Sequence, residues 1–177
     1  KFGTTTVLPT FYSDLDTNGY IESTKRVRSL LKEGKAKNIG GIYMEGPYLN
    51  PKFGCERESN PWQGAVDKEK YAPIIEAAKD FAKVWCVAPE REGIEDFVKY
   101  VKREIPEIVF SVAHSEATPA QIEALMPYGL KIGTHHTNAT GDRIFYPEVR
   151  GVCVDEAVNY NREIYAELIC DSRGIHV

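Results

Sequence analysis

Six short, mostly apolar segments recur along the 177-residue chain, and longer amphipathic segments separate them. Because these segments are continuously apolar rather than alternating, they predict strands that are buried on both faces of a parallel sheet. The six predicted strands cover residues 4–8, 39–45, 84–88, 108–114, 130–135 and 165–171. A chain with this pattern is restricted to layered folds in which helices cover the strands.

The segments between the predicted strands have helical periodicity, with apolar side chains three and four positions apart. This periodicity predicts three helices, over residues 21–37, 71–82 and 94–103. A fourth helix is predicted from its start, where Thr118 is the N-cap, Pro119 the first helical residue and Gln121 the third. It is expected to end near Gly129. Alternating strands and helices indicate βαβ units.

The predicted fold class is α/β, a (β/α)8 TIM-type barrel of which the chain covers about six central βα units. An open doubly wound sheet normally has a glycine-rich phosphate turn after its first strand, whereas Pro-Thr-Phe follows here at residues 9–11. The chain opens on Lys1 rather than Met, and strand-like sequence lies close to both ends. We therefore expect residues 1–177 to form a single domain, part of a barrel that is incomplete at both ends.

Charge and cysteine content exclude several classes of protein. With 22 Lys and Arg against 26 Asp and Glu, the net charge is −4, so a strongly basic nucleic-acid binder is excluded. No apolar run approaches the roughly 20 residues of a membrane span, and we expect neither nucleic-acid nor membrane partners. The four cysteines are far apart and form no CxxC pair, which indicates a reduced, cytoplasmic protein.

Side chains with metal-ligand chemistry follow the ends of three predicted strands. Glu45 ends the second strand, His114 the fourth and His135 the fifth. In a barrel the carboxyl ends of the strands converge on one face, and carboxylate and imidazole are ligands of a catalytic divalent metal such as zinc. Two other interpretations stay open: Glu45 as the cap of a turn, and His114 as a hydrogen-bonded loop residue. His136 is expected to point away from this face.

Six sequence motifs occur in a characteristic order. They are Gly-Thr-Thr-Thr-Val-Leu-Pro-Thr (3–10), Met-Glu-Gly-Pro-Tyr-Leu-Asn-Pro (44–51), Ala-Pro-Glu (88–90), Val-Ala-His-Ser-Glu-Ala (112–117), Gly-Thr-His-His-Thr-Asn-Ala (133–139) and Gly-Ile-His-Val (174–177). In this order they resemble the signature of the N-acetylglucosamine-6-phosphate deacetylases, in the amidohydrolase superfamily. The resemblance covers the whole chain.

The resemblance implies a distorted (β/α)8 barrel with one or two divalent metal ions and an activated water that attacks an N-acetyl carbonyl. Glu45, His114 and His135 match the family's metal ligands. Zinc is the expected metal, with iron or another divalent ion as the alternative. The implied substrate contacts are His176, near the scissile amide, and Asn138 and Ala139, near the substrate phosphate.

Two departures from the family pattern concern the substrate. The family has a histidine that helps polarise the amide carbonyl where this chain has Glu56, and a carboxylate there would repel a developing oxyanion. The family's phosphate-binding arginine is expected near residues 145–148, which read Phe-Tyr-Pro-Glu. Either Arg143 or Arg150 replaces it from a shifted loop, or the substrate lacks a 6-phosphate.

Trp62 lies in the loop after the predicted strand that ends on Glu45. Trp62 either stacks on a sugar or packs its own loop.

The family's His-x-His pair would precede Lys1 and its acid–base aspartate would follow Val177, so no catalytic acid–base residue is expected in this chain. The expected function is metal-dependent deacetylation of an N-acetylated amino sugar, with N-acetylglucosamine 6-phosphate as the first candidate substrate. A homodimer is the candidate assembly. The alternatives are a related amidohydrolase acting on another acylated amine or cyclic amide, and a catalytically incomplete barrel fragment.

Overall fold

The computed structural model describes residues 3–54, 58–141, 143–145 and 149–171, with the backbone alone for residues 143–145 and 149–150. The strands of this part are β1 (Thr10–Tyr12), β2 (Ile42–Glu45), β3 (Ala82–Val87), β4 (Val109–Val112), β5 (Leu130–Gly133), β6 (Arg143–Phe145), β7 (Val149–Gly151) and β8 (Tyr165–Ala166). Its α-helices are α1 (Thr17–Lys32), α2 (Lys68–Ala78), α3 (Ile94–Glu104), α4 (Pro119–Leu125) and α5 (Val154–Tyr160).

The main sheet confirms the α/β class. Its six parallel strands lie in the order β1-β2-β3-β4-β5-β8, while β6 and β7 form a separate antiparallel hairpin. Each crossover adds a strand on the same side of the preceding one. A doubly wound sheet reverses direction at a switch point, so this order is that of a TIM-type barrel segment.

The sheet is buried by two apolar layers. On β3, Trp85 and Val87 belong to the large cluster that includes residues of the helices, while Val84 and Cys86 belong to a smaller cluster. This alternation is the two-residue period of a strand. The smaller cluster also contains Tyr43 on β2, Leu49 in the loop after β2 and Ala113 directly after β4. The predicted site thus stands on a packed layer.

The first predicted strand, residues 4–8, is wrong. The strand that pairs with β2 is Thr10–Tyr12, and only Val7 forms an isolated parallel bridge, with Ile39. The three threonines before Val7 are exposed, so their β-branched side chains indicate no buried strand. Pro9 interrupts the run because it has no N–H for a strand ladder.

Two other sequence predictions need correction, and one helix was not predicted at all. The last predicted strand, residues 165–171, is reduced to Tyr165–Ala166, and Tyr165 is 73% exposed at the sheet edge. Helix α1 begins earlier than predicted because the Asp16 side chain accepts a hydrogen bond from the Gly19 N–H at 2.7 Å. Helix α5 was not predicted, since its buried residues fill less than two helical turns. Among the described residues, no helix combines the length and apolar character that a membrane crossing requires.

The predicted start of α4 is confirmed, and its cap is testable. Thr118 Oγ1 accepts from the Gln121 N–H at 3.3 Å, and Gln121 Oε1 accepts from the Thr118 N–H at 2.9 Å. Thr118→Ala should lower the free energy of unfolding by about 1 kcal/mol, because one N-terminal N–H loses its partner. Urea denaturation measures this change, and Thr118→Ser, which keeps a hydroxyl, is the control. Equal stability of the two variants would contradict the assigned cap.

Candidate metal centre

Glu45, His114 and His135 lie together at the carboxyl ends of β2, β4 and β5. Glu45 Oε1 lies 2.8 Å from His114 Nε2 and 3.3 Å from His135 Nε2. The two Nε2 atoms are 3.1 Å apart. One ligand atom of each residue lies within 4.8 Å of the others. The structure therefore brings together the three residues that the sequence analysis assigned to one metal site.

The backbone places both histidines by an uncommon conformation. His114 and His135 have φ angles of 44° and 33°, in the left-handed region that non-glycine residues rarely adopt. Such a residue costs about 1–3 kcal/mol and persists only where its surroundings hold it. Here the Asn50 N–H donates to the His114 carbonyl at 3.0 Å, and the His136 N–H donates to the Glu167 carbonyl at 2.8 Å.

The electrostatics of the cluster follow from burial and from these contacts. Burial disfavours ionisation of Glu45, yet its hydrogen bonds with His114 and His135 outweigh burial and lower the pKa of Glu45 to about 2. Burial also disfavours the charged form of His135, but contact with Glu45 outweighs it and raises the pKa of His135. The carboxylate stays ionised at neutral pH and attracts a proton or cation to this point.

The donor set fits a divalent cation. His135 Nδ1 lies 3.1 Å from the Asn138 carbonyl oxygen, which can only accept, so Nδ1 donates and the ring turns Nε2 toward Glu45 Oε1. A divalent cation would take the place of the hydrogen between Nε2 and Glu45. The Nδ1 atom of His114 is buried and has no hydrogen-bond partner among the described residues. One carboxylate oxygen and two imidazole nitrogens that converge on one point are ligands that zinc takes in catalytic sites.

The implied substrate-binding residues are only partly described. Asn138 and Ala139 lie in the loop after β5, where Asn138 orients His135 and Ala139 has a φ of 55°. Glu56 and His176 lie outside the described residues, as do the side chains of Arg143 and Arg150. The substrate roles of these residues stay predictions.

His136 and Trp62 point away from the cluster. His136 Nε2 lies 3.0 Å from Asn159 Oδ1 on α5, which confirms that it faces away from His135. Trp62 is 3% exposed, and its indole N–H donates to the Leu15 carbonyl at 2.7 Å. Its ring packs against Tyr48 at 5.2 Å between centroids. Trp62 therefore packs its own loop, and the sugar-stacking interpretation is wrong.

Two residues near the cluster were missed by the sequence analysis. Tyr12 ends β1 in register with Glu45, and its ring centroid lies 5.8 Å from that of His114. The carboxyl of Glu167 accepts a hydrogen bond from the Tyr43 hydroxyl at 2.8 Å, and burial raises the pKa of Glu167. A correctly placed first strand would have assigned Tyr12 to the strand ends. Glu167 could have been found because it follows β8 on the chain.

Solved structures of N-acetylglucosamine-6-phosphate deacetylases share this fold. The chain superposes on the enzyme from Mycobacterium smegmatis with a TM-score of 0.74 at 22% identity, covering 94% of this chain and 41% of that one. For the Thermotoga maritima enzyme the TM-score is 0.69 at 26% identity, with 96% and 43% covered. For the Pasteurella multocida enzyme it is 0.71 at 26% identity, with 94% and 41% covered.

These likenesses confirm the resemblance and the fold that it implies. The chain spans 41–43% of the length of these enzymes, so it corresponds to a segment of their structures. A further solved structure holds a variant of the M. smegmatis enzyme in complex with N-acetyl-D-glucosamine-6-phosphate. No protein-family model matches the chain.

Proposed function

We propose that this chain is part of a metal-dependent amide hydrolase that removes the acetyl group from an N-acetylated amino sugar, with N-acetylglucosamine 6-phosphate as substrate. The observation that carries the proposal is the convergence of Glu45, His114 and His135 at the strand ends of a deacetylase-like sheet. In a TIM-type barrel, catalysis occurs at the carboxyl ends of the strands, and these three side chains lie there.

Glu45, His114 and His135 would hold the ion, and their two nitrogens and one oxygen favour zinc. A divalent ion in this position would lower the pKa of a bound water molecule and polarise the amide carbonyl. Two contributions come from the protein itself. Glu45 supplies a carboxylate that is already ionised, and the Asn138 carbonyl fixes the ring of His135.

The substrate would lie over the same face. Asn138 and Ala139, beside His135, would meet the substrate phosphate, with Arg143 as the candidate cation and His176 near the amide. Glu56 would lie near the acyl oxygen. The acid–base residue is proposed to belong to the remainder of a longer enzyme, of which this chain is a segment. A homodimer and a cytoplasmic location complete the proposal.

The departures at residues 56 and 145–148 favour a second candidate. A carboxylate near the acyl oxygen and no arginine at the phosphate position suit a related amidohydrolase whose substrate is another acylated amine or a cyclic amide. The third candidate is a catalytically incomplete fragment. The three candidates predict different preferred ligands for the chain: the phosphorylated amino sugar, another acylated amine or cyclic amide, or none of these.

The phosphate assignment is tested by comparing two ligands on the zinc-loaded chain. Calorimetric titration should show that N-acetylglucosamine 6-phosphate binds about tenfold or more tightly than N-acetylglucosamine, because a charge-assisted hydrogen bond contributes about 1.5–3 kcal/mol. Equal affinity would contradict a phosphate site. Preference for a cyclic amide or another acylated amine would support the second candidate. A chain that binds none of these ligands would support the incomplete fragment.

A further inference from the structure

Glu90, three residues after the end of β3, connects three loops. Its Oε1 accepts from Asn50 Nδ2 and from the Glu116 N–H, both at 2.8 Å. Its Oε2 accepts from the Ser115 hydroxyl at 2.6 Å. Asn50 lies in the loop after β2, and Ser115 and Glu116 in the loop after β4. One carboxylate therefore joins the loops that follow three neighbouring strands.

The partners of Glu90 hold the backbone at the carbonyl of His114 and at the two residues after it. The Asn50 N–H donates to the His114 carbonyl at 3.0 Å, and Ser115 and Glu116 are the two residues that follow His114. Asn50 is 6% exposed and Ser115 is fully buried. Because His114 has a left-handed backbone, it relies on such contacts to hold its ring beside Glu45.

The hydrogen bonding requires a carboxylate at this position. An ionised carboxylate accepts at both oxygens, whereas the amide of a glutamine donates at one of its two ends. Ser115 Oγ already accepts from the Ala117 N–H at 3.0 Å, so its own hydrogen is directed to Glu90. With Gln at position 90, an N–H would face Ser115 Oγ, whose hydrogen would lose its acceptor.

We propose that Glu90 is the positioning residue of the metal centre: it holds the loop after β4 so that His114 Nε2 stays in ligand geometry. The inference rests on the proposed function, since it gives Glu90 a role toward the metal site of Glu45, His114 and His135. None of the hydrogen bonds described joins Glu90 to the ligand atoms of Glu45, His114 or His135. Glu90 therefore acts on the metal site through the backbone beside His114.

The test compares Zn²⁺ affinity among four forms of the full chain: wild type, Glu90→Ala, Glu90→Gln and Asp67→Ala. Affinity is measured by competition with a chromophoric chelator, at a temperature where circular dichroism shows each form folded. Glu90→Ala should raise the Kd for Zn²⁺ about 10–100-fold, the usual cost of losing a group that orients a ligand. Glu90→Gln should lie between Glu90→Ala and wild type.

Asp67→Ala is the matched control, because it removes the N-cap of α2, where Asp67 Oδ1 accepts from the Glu69 N–H at 2.9 Å. It should lower the thermal midpoint and leave the Kd for Zn²⁺ unchanged. A second readout needs no metal: amide hydrogen exchange of Asn50 and Glu116 should accelerate in Glu90→Ala and not in Asp67→Ala.

The outcomes separate the inference from the proposed function. If wild type binds Zn²⁺ and Glu90→Ala binds it equally well, the positioning role is wrong and the metal centre stands. If Glu90→Ala fails to fold, Glu90→Gln decides, and a Kd equal to that of wild type overturns the inference. If wild type binds no Zn²⁺, the metal centre is wrong, and the role of Glu90 toward it falls as well.

Discussion

Glu45→Gln is expected to abolish tight metal binding by the chain while leaving its fold intact. The amide is isosteric with the carboxylate, but it removes the negative charge that faces His114 and His135 at 2.8 Å and 3.3 Å. Loss of a group that merely orients a ligand costs about 10–100-fold in metal affinity, so loss of a ligand itself should exceed 100-fold. Chelator competition with Zn²⁺ measures the change.

Glu107→Gln is the control for that variant, since it removes an exposed carboxyl in the turn before β4. It should leave zinc affinity within about twofold of wild type, as surface changes usually do little. Far-ultraviolet circular dichroism should be the same for all three proteins. If Glu45→Gln held zinc as tightly as Glu107→Gln, Glu45 would not be a ligand.

Phe97→Ala is expected to lower the free energy of unfolding by about 3–5 kcal/mol, more than Thr118→Ala does. Phe97 is fully buried on α3, and its ring lies 5.0–5.7 Å from the rings of Tyr71, Tyr48 and Trp85. Removing it leaves a cavity where α2, α3 and the sheet meet. Because domains are stable by only about 5–15 kcal/mol, this loss should appear clearly in urea denaturation.

Phe97 also packs against the loop that follows Glu45. The Tyr48 ring lies in the loop that follows Glu45, and the Tyr48 hydroxyl accepts from the Asp67 N–H at 3.0 Å. Tyr165→Ala is the control, because Tyr165 is 73% exposed and should change stability by less than about 0.5 kcal/mol. A Phe97→Ala variant as stable as Tyr165→Ala would contradict the described packing.

Local sequence signals were sufficient for the middle of the fold. Helix α3 was predicted within one residue of Ile94–Glu104 because its apolar residues are strictly periodic, and the cap of α4 was read from Thr118 and Gln121. Strand β1 was misplaced because threonines have high strand propensity whether or not a strand forms. Helix α5, only Val154–Tyr160, depends on packing against β5 and β8 rather than on its own pattern.

The site was predicted as far as strand ends could indicate it. Glu45, His114 and His135 end or follow apolar strands, so parallel topology alone places them on one face. Glu90 was not assigned a role because its partners, Asn50 and Ser115, are 40 and 25 residues away in the sequence. No local pattern shows such a contact. Tyr12 was missed for a different reason, since the strand that ends on it was placed too early.

Elemental analysis of the folded chain tests the central claim most directly. The wild-type protein is loaded with zinc, desalted, shown to be folded by circular dichroism, and assayed for metal per chain. If Glu45, His114 and His135 form a metal centre, the chain should retain about one zinc ion, as three protein ligands with an open position do in catalytic sites. A folded chain that retains no zinc would contradict the metal centre and the hydrolase proposed from it.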